Sequence, residues 1–450
     1  MPDSDPDAYR TLVLDADSQA GLCVVRSLGK RGVPVTAASD TDRSLGKRGV
    51  PVTAASDTDR SLGALSRYSE EAVTHHPPAE APDAFVNQLA GILAERDYFA
   101  VIPVNDATTK VVSQRKARLE ATGTTVGVPD WDRAKLAYDK AQTFDLAEPL
   151  SVPTPETHAP DSLADVERLA DDLAYPVVVK SRSKYVDDSA GKLHLHRVGD
   201  DSYADGPAEL VSTYRDVLAR NDHLDAVPPL VQAYVPGETT TTVGLAEDGE
   251  FRAWFQERRL RTTPHSGGNS TVITGMRDPK MRDHAAAVVD ALEWTGPIQV
   301  EFMRTPDGEY YLIEVNSRYW GSVPLAVDSG VDVPWLHLCQ LDGNTPTNPP
   351  VYRDDVIHQR LLYGDIKWLA ERLSEGHPLA AARFLAAFSY ARPVFLRSED
   401  PLPSAVAPLQ WFGQRAKKVY EEARDALVSG GDDESEAREE PEQVATVSDD

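Results

Sequence analysis

The sequence predicts three parts in succession: a parallel α/β domain, an α+β region with closely spaced strands, and a helical C-terminal region. Three observations carry this. Residues 9–130 alternate short apolar strands with helical runs, the pattern of a parallel sheet covered by helices. From Asp139 to about Leu341 strand-like runs follow one another more closely. From Arg353 to Glu422 the apolar spacing is mainly helical, broken by Pro393, Pro401 and Pro403. A chain of 450 residues also exceeds what one core usually organises.

In the first part, Thr11–Leu14 reads as a buried strand and Gln19–Lys30 as a helix. Ala100–Val104 is a second buried strand, ending at Asn105-Asp106. The loop between the first strand and helix, Asp15 to Gly21, has a single glycine, so the Gly-rich dinucleotide fingerprint is missing and NAD is not expected. Ser27–Arg43, SLGKRGVPVTAASDTDR, recurs letter for letter as Ser44–Arg60. Two undrifted copies do not make a repeat architecture. Each copy contains one strand, Val33–Ala38 or Val50–Ala55, and only one can fill a given slot. The other is expected to loop out or extend an edge, with no part in chemistry.

In the C-terminal part, Ile366–Leu373, Leu379–Phe388 and Ala416–Leu427 read as helices. The stretch 429–450 is acidic and nearly free of apolar residues, so it cannot offset its ordering entropy and reads as a disordered tail.

Composition removes several classes. No run approaches the ~18–20 apolar residues of a membrane span. The acidic start, Met1-Pro2-Asp3-Ser4-Asp5, is unlike a secretory signal. Two cysteines, Cys23 and Cys339, make neither a disulfide framework nor a conventional zinc site, which fits a reducing cytoplasm. Asp and Glu total 72 against 46 Lys plus Arg, of which 33 are Arg, giving a net charge of −26. Carboxylates spread along the whole chain suit a salt-loaded cytosol, so a halophilic protein is expected. No basic stripe exists for nucleic acid.

The central part contains a hairpin with chemistry in it. Ile298–Met303 and Tyr310–Asn316 are strand-like, and Asp307-Gly308 between them is a preferred two-residue turn. With that turn, Glu301 lies opposite Glu314, and Asn316 shares the face of Glu314. Facing carboxylates repel unless neutralised. The spacing leaves two readings: a solvent face, or an oxygen-ligated divalent cation such as Mg²⁺.

The run that follows, Glu314-Val315-Asn316-Ser317-Arg318, resembles the Glu-x-Asn-x-Arg strand end of the ATP-grasp superfamily. The resemblance implies a Rossmann-like pre-ATP-grasp domain over residues 1–130, which contains the duplication 27–43/44–60. An ATP-grasp domain over 131–345 follows, with a lid at about 150–235, and then a helical region over 346–428. It implies that Glu301, Glu314 and Asn316 hold Mg²⁺ (or Mn²⁺) against the phosphates of ATP, and that Arg318 stabilises charge developing on the transferred group.

Other segments fall in the order of that family. Tyr138-Asp139-Lys140 with Val152–Pro155, and Tyr175–Lys180, are similar to its two phosphate-contacting lysines, here Lys140 and Lys180. Leu230–Glu238 resembles its adenine hinge. By resemblance the backbone of Ala233 and Val235, around Tyr234, meets adenine and Glu238 meets the ribose. Gln232 or Ala233 stands where the family often has Glu. Arg258-Arg259-Leu260-Arg261 and His265–Ser270 lie on the acceptor side. Strand alternation puts Arg259 and Arg261 on one face, and Arg261 is the first choice there.

The implied activity is ligation of a small-molecule carboxylate to an amine through an acyl phosphate. A bicarbonate-using, biotin-carboxylase-like enzyme and a non-catalytic ATP-binding regulatory protein are the alternatives. Oligomeric state is left open, a homodimer included. His194 and His196 share a face of Lys192–Val198 without an evident third metal ligand, and read as part of a lid strand. His75-His76 reads as a loop, and the two cysteines as inert core thiols.

Overall fold

The computed structural model describes residues 6–39, 61–263 and 268–413. Thr11–Val13 (β1), Val35–Ser39 (β2), Glu71–Thr74 (β3), Ala100–Ile102 (β4) and Thr125–Val126 (β5) form a parallel sheet in the order β3-β2-β1-β4-β5. The direction of strand addition reverses between β1 and β4, and open α/β sheets bind ligands at such switch points. Asp15 closes that crevice: its carboxylate accepts from the Val104 and Asn105 N–H groups at 3.0 and 2.8 Å and from the Thr108 hydroxyl at 2.6 Å. The strand of the first repeat copy fills the β2 slot. The second copy, and the expectation that it loops out, lies outside the described residues, as do the helix Ala416–Leu427 and the acidic tail.

The second sheet is small and antiparallel. Thr157–His158 (β6), Val177–Lys180 (β7), Tyr203–Ala204 (β10) and Leu230–Ala233 (β11) take the order β10-β7-β11-β6. Its apolar face packs on two helices, Leu163–Leu169 and Pro207–Ala219, through Val177, Val179, Val231, Val166, Leu210 and Tyr214. Between β7 and β10 a two-stranded hairpin, Tyr185–Asp187 (β8) and Leu193–Leu195 (β9), docks on the first domain. Leu193 is buried with Phe85 and Leu89, and Lys110 Nζ reaches the Asp187 carboxylate and the Tyr185 carbonyl.

The third sheet has seven strands. Glu238–Glu247 (β12), Glu250–Thr263 (β13), Asn269–Met276 (β14), Gly296–Arg304 (β15), Tyr310–Asn316 (β16), Ile357–Gln359 (β17) and Arg392–Pro393 (β18) run in the order β16-β15-β12-β13-β14-β17-β18. One face, with Ile298, Val300 and Phe302, is covered by Met281, Ala285 and Val288 of helix Pro279–Ala291. On the other, Val243 and Phe255 pack on Val24, Val25 and Leu28 of helix Gln19–Gly29. Two residues along the same face the composition turns polar, at Thr241, Glu257 and Glu301. That polar end is where the sheets converge.

Two expectations need correction. The region after residue 353 is not helical throughout, because β17 and β18 extend the large sheet; helices at Ile366–Ser374, Leu379–Tyr390 and residues 401–413 do follow. The β15–β16 turn is not a two-residue loop. Arg304 pairs with Tyr310, the Thr305 N–H donates to Glu309 O, and Gly308 adopts φ +91°. This three-residue loop needs a left-handed residue at its end, which glycine supplies. The register it creates is one residue off the expected one. An irregularity between Glu301 and Phe302 restores it, so Glu301 does face Glu314.

Candidate active site

The cleft lies between the polar end of the large sheet, the small antiparallel sheet and the switch point. Glu301, Glu314 and Asn316 share one face by register, with Glu301 opposite Glu314 and Gln299 opposite Asn316. Their oxygens are held by cations and amides. Lys140 Nζ lies 2.8 Å from Glu314 Oε1, and Arg259 Nη2 lies 2.9 Å from Glu301 Oε2. Asn316 Nδ2 donates to Glu301 Oε1 at 3.1 Å, while its Oδ1 accepts from Arg318 Nη2 at 2.9 Å. Arg318 Nε donates to Asp106 Oδ1 at 2.7 Å.

Local structure explains these positions. Asp139 caps helix Lys140–Ala147 by accepting from the Ala141 N–H, which fixes Lys140 at the first helical position. The valines of β7 are buried on both sides of the strand, so Lys180 is carried to the strand end at 7% exposure. Its ammonium lies over the Phe144 ring, 5.4 Å from the centroid. Among the described residues no carboxylate pairs with it. Burial, with repulsion from Lys140, pushes Lys180 down to about 7, and Glu314 only partly opposes this.

The carboxylates respond oppositely. Burial would raise Glu314, yet Lys140, with Lys184 and Lys180 behind it, holds it below its ordinary value. Burial would likewise raise Asp106, but Arg318 and Lys184 keep it well below the usual carboxylate range. Lys140, Lys180, Lys184, Arg259 and Arg318 outnumber Asp106, Glu301 and Glu314. The cleft is therefore built for added negative charge.

The structure brings Lys140, Lys180, Glu301, Glu314, Asn316 and Arg318 together. It does not bring the others. Arg261 is withdrawn: its guanidinium donates twice to Asp365, at 2.7 and 2.8 Å, and stacks 3.9 Å above the Trp368 ring. The expectation that Arg259 and Arg261 share a face fails because the β13–β14 register slips between them, pairing Arg259 with Ile273 and Arg261 with Val272. Arg259 therefore reaches Glu301 and Arg261 does not. Glu238 also misses the cleft. It pairs with Arg304 at 3.1 Å on the helix-covered face, alongside Thr240 and Phe302. Thr239, one residue later, is on the face of Thr241 and Glu301.

In the hinge, the Gln232 side chain is buried and donates to the Thr157 hydroxyl at 2.7 Å, which takes it away from a nucleotide. The Ala233 and Tyr234 N–H groups bond to Glu156 O and Pro176 O at 2.9 and 3.0 Å. The Tyr234 ring is exposed and meets Tyr203 edge-on. Val235 lies two residues beyond the end of β11. His265, Ser266 and Gly267 lie outside the described residues.

Comparison with known proteins now bears on this geometry. Residues 225–361 match a family described as ATP-grasp in the biosynthetic pathway with Ter operon. The chain is 29% identical over 218 residues to the carbamoyl phosphate synthase large chain of Halobacterium salinarum, covering 46% of this chain and 19% of that protein. It is 24% identical over 219 residues to the D-alanine–D-alanine ligase of Stutzerimonas stutzeri, covering 46% of this chain and 66% of the ligase. The crystal structure of the L-amino acid ligase from Bacillus licheniformis superposes with a TM-score of 0.53 at 16% identity, over 78% of each chain. The segment 225–361 is therefore ATP-grasp-like.

The family match covers β11 to β17, and with them Glu301, Glu314, Asn316 and Arg318. The curated synthase is about five times longer than the segment it shares with this chain. Four residues of the site were missed in the sequence. Asp106 begins helix Asp106–Gln114 and joins the first domain to Arg318 and Lys184. Its only sequence signal was its place after a buried parallel strand. Lys184 is four residues beyond Lys180. Arg259 lost the comparison with Arg261 to a bulge no pattern announces. Glu257 sits at 6% exposure one strand beyond Thr241, and burial lifts its carboxyl to about 7. Those four line the same polar face or its rim.

Proposed function

We propose that this chain is an ATP- and Mg²⁺-dependent ligase that activates a carboxylate as an acyl phosphate for attack by an amine. The observation that carries the reading is the facing pair Glu301 and Glu314, placed beside a buried lysine that has no ion-pair partner among the described residues. A metal would fit here, Mg²⁺ or Mn²⁺. Glu301, Glu314 and the Asn316 carbonyl are hard oxygen donors on one face, and each carboxylate is held meanwhile by a side-chain cation. Such a cation, when bound, would neutralise phosphate charge.

The chain's own residues have assignable tasks. Lys140 and Lys180 bind phosphate oxygens as point charges. Arg318, fixed by Asp106 and Asn316, presents a guanidinium to charge that develops during phosphoryl transfer, and because it is already oriented it reorganises little. The Ala233 carbonyl and the Val235 N–H are the hinge groups left for an adenine edge, and the Thr239 hydroxyl replaces Glu238 as the candidate for ribose. No covalent nucleophile is needed, since positioning and charge neutralisation suffice for this chemistry. The division at 130, 345 and 428, with a lid at about 150–235, belongs to the same proposal, as does work in a salt-rich cytoplasm.

The test is ADP release from Mg-ATP across a matrix of carboxylates and amines, in dilute buffer and in multimolar KCl. Bicarbonate belongs in the panel because of the match to a carbamoyl phosphate synthase. Release that requires both substrates and disappears in Glu314→Ala is the expected result. Nucleotide binding without turnover on any pair would count for a regulatory ATP-binding protein, and no nucleotide binding would refute the site.

A further inference from the structure

The polar row on the cleft face does not end at the metal pair. It runs Glu314–Glu301–Thr241–Glu257 across β16, β15, β12 and β13, each residue paired with the next. Glu257 therefore stands two strand spacings from Glu301, about 10 Å. Its Oε1 accepts a hydrogen bond from Ser322, four residues after Arg318. Its Oε2 is sealed from solvent and has no hydrogen-bond partner among the described residues. Native structures rarely leave a buried carboxylate oxygen unsatisfied, and such a group warrants a ligand or a chemical role. The guanidinium two residues on, Arg259, faces the same way but donates to Glu301 and to the Gly268 carbonyl.

We propose that Glu257 is the proton acceptor for the attacking amine, its Oε2 taking the proton as the C–N bond forms. This rests on the ligase reading and adds a residue to it. The amine nitrogen's lone pair attacks the acyl carbon; the C–N bond forms, the carbon–oxygen bond to phosphate breaks, and phosphate leaves with that electron pair. The surplus N–H proton passes to Glu257 Oε2. Ser322 holds Oε1, so the free oxygen has one orientation. Glu301 and Glu314 are reserved for cations, and Asp106 is fully paired. Of the cleft carboxylates this leaves Glu257 as the one able to accept a proton. Burial, only partly offset by Ser322 and Arg259, lifts it to about 7, the range a general base needs near neutral pH.

Hydroxylamine is neutral near pH 7 and attacks acyl phosphates readily with water taking its proton, so carboxylate-dependent hydroxamate formation reports activation alone. In Glu257→Gln, hydroxamate formation should persist near the wild-type rate. Peptide or amide formation with an ordinary amine should fall about 10²–10⁴-fold, and Glu257→Asp should restore part of it. Equal loss of both products would make Glu257 structural, and retention of both would remove it from the reaction; either overturns the proposal. Wild-type enzyme that forms no hydroxamate with any carboxylate would instead refute the ligase reading. Difference infrared spectra across about pH 5 to 9, with Glu257→Gln as the blank, test the residue without any substrate. A Glu257 carboxylic-acid band lost near neutral pH is expected. A group already ionised at pH 5 overturns the proposal.

Discussion

Replacing Lys180 by Met should weaken ATP binding and stabilise the free protein, two effects of opposite sign from one buried charge. Lys180 sits at 7% exposure with its ammonium over Phe144 and is pushed down to about 7, chiefly by burial and then by Lys140. The folded value lies below the unfolded one. The unfolded chain therefore holds the extra proton between about 7 and the ordinary lysine value, and stability rises with pH across that window. Below about pH 7 the charged lysine is a burden to the fold, and Met removes it at nearly the same volume. The melting temperature of Lys180→Met should rise by a few degrees at about pH 6, with the gain fading as the pH approaches 10.

Phosphate reverses the balance by pairing with the ammonium. A hydrogen bond to a charged group contributes about 1.5–3 kcal/mol, so the variant should bind ATP about 10–150-fold more weakly below pH 7. In the wild type, binding above pH 7 must first protonate Lys180. Affinity should then fall about tenfold per pH unit, with uptake of about 0.9 proton at pH 8. Calorimetry in two buffers of different ionisation enthalpy counts that proton. Affinity that is flat between about pH 6.5 and 8.5, or a variant that binds ATP as the wild type does, would show that Lys180 does not meet the phosphates.

Two further outcomes separate structural from catalytic residues. Arg261→Met leaves the buried Asp365 carboxylate, among the described residues, with Thr271 and Gln359, so stability should drop by about 3–5 kcal/mol while ATP affinity stays within about threefold; denaturant unfolding and nucleotide titration check this. A loss of affinity at unchanged stability would return Arg261 to the cleft. Glu238→Gln should leave ATP affinity within about twofold because its side chain is on the helix-covered face, whereas Thr239→Val should lower it about fivefold through a lost hydroxyl contact. The reverse ranking, read by the same titration, would reinstate Glu238.

Much of the site was legible because its signals are local. Glu301, Glu314, Asn316 and Arg318 lie within one hairpin and its exit, where strand alternation alone decides which side chains share a face. Lys140 and Lys180 stood out as lysines at the start of a helix and the end of a buried strand in an arginine-rich chain. Even here the agreement concealed two offsetting departures. The turn has one residue more than expected, and the irregularity beyond Glu301 cancels it.

By itself the sequence determined the strand–helix alternation of the first part, the parallel character of its sheet and the facing acids of the hairpin. All of these follow from periodicity within a few residues. Tertiary structure decided the rest. A slip in the β13–β14 register sent Arg259 to Glu301 and Arg261 to Asp365, and a ladder irregularity depends on the partner strand, not on the residues that bulge. Asp106 meets Arg318 across 212 residues of chain, and the burial that lowers Lys180 comes from packing between helix Lys140–Ala147 and the small antiparallel sheet. Charge pairing and burial of that kind depend on which segments meet in space, and no local pattern records it.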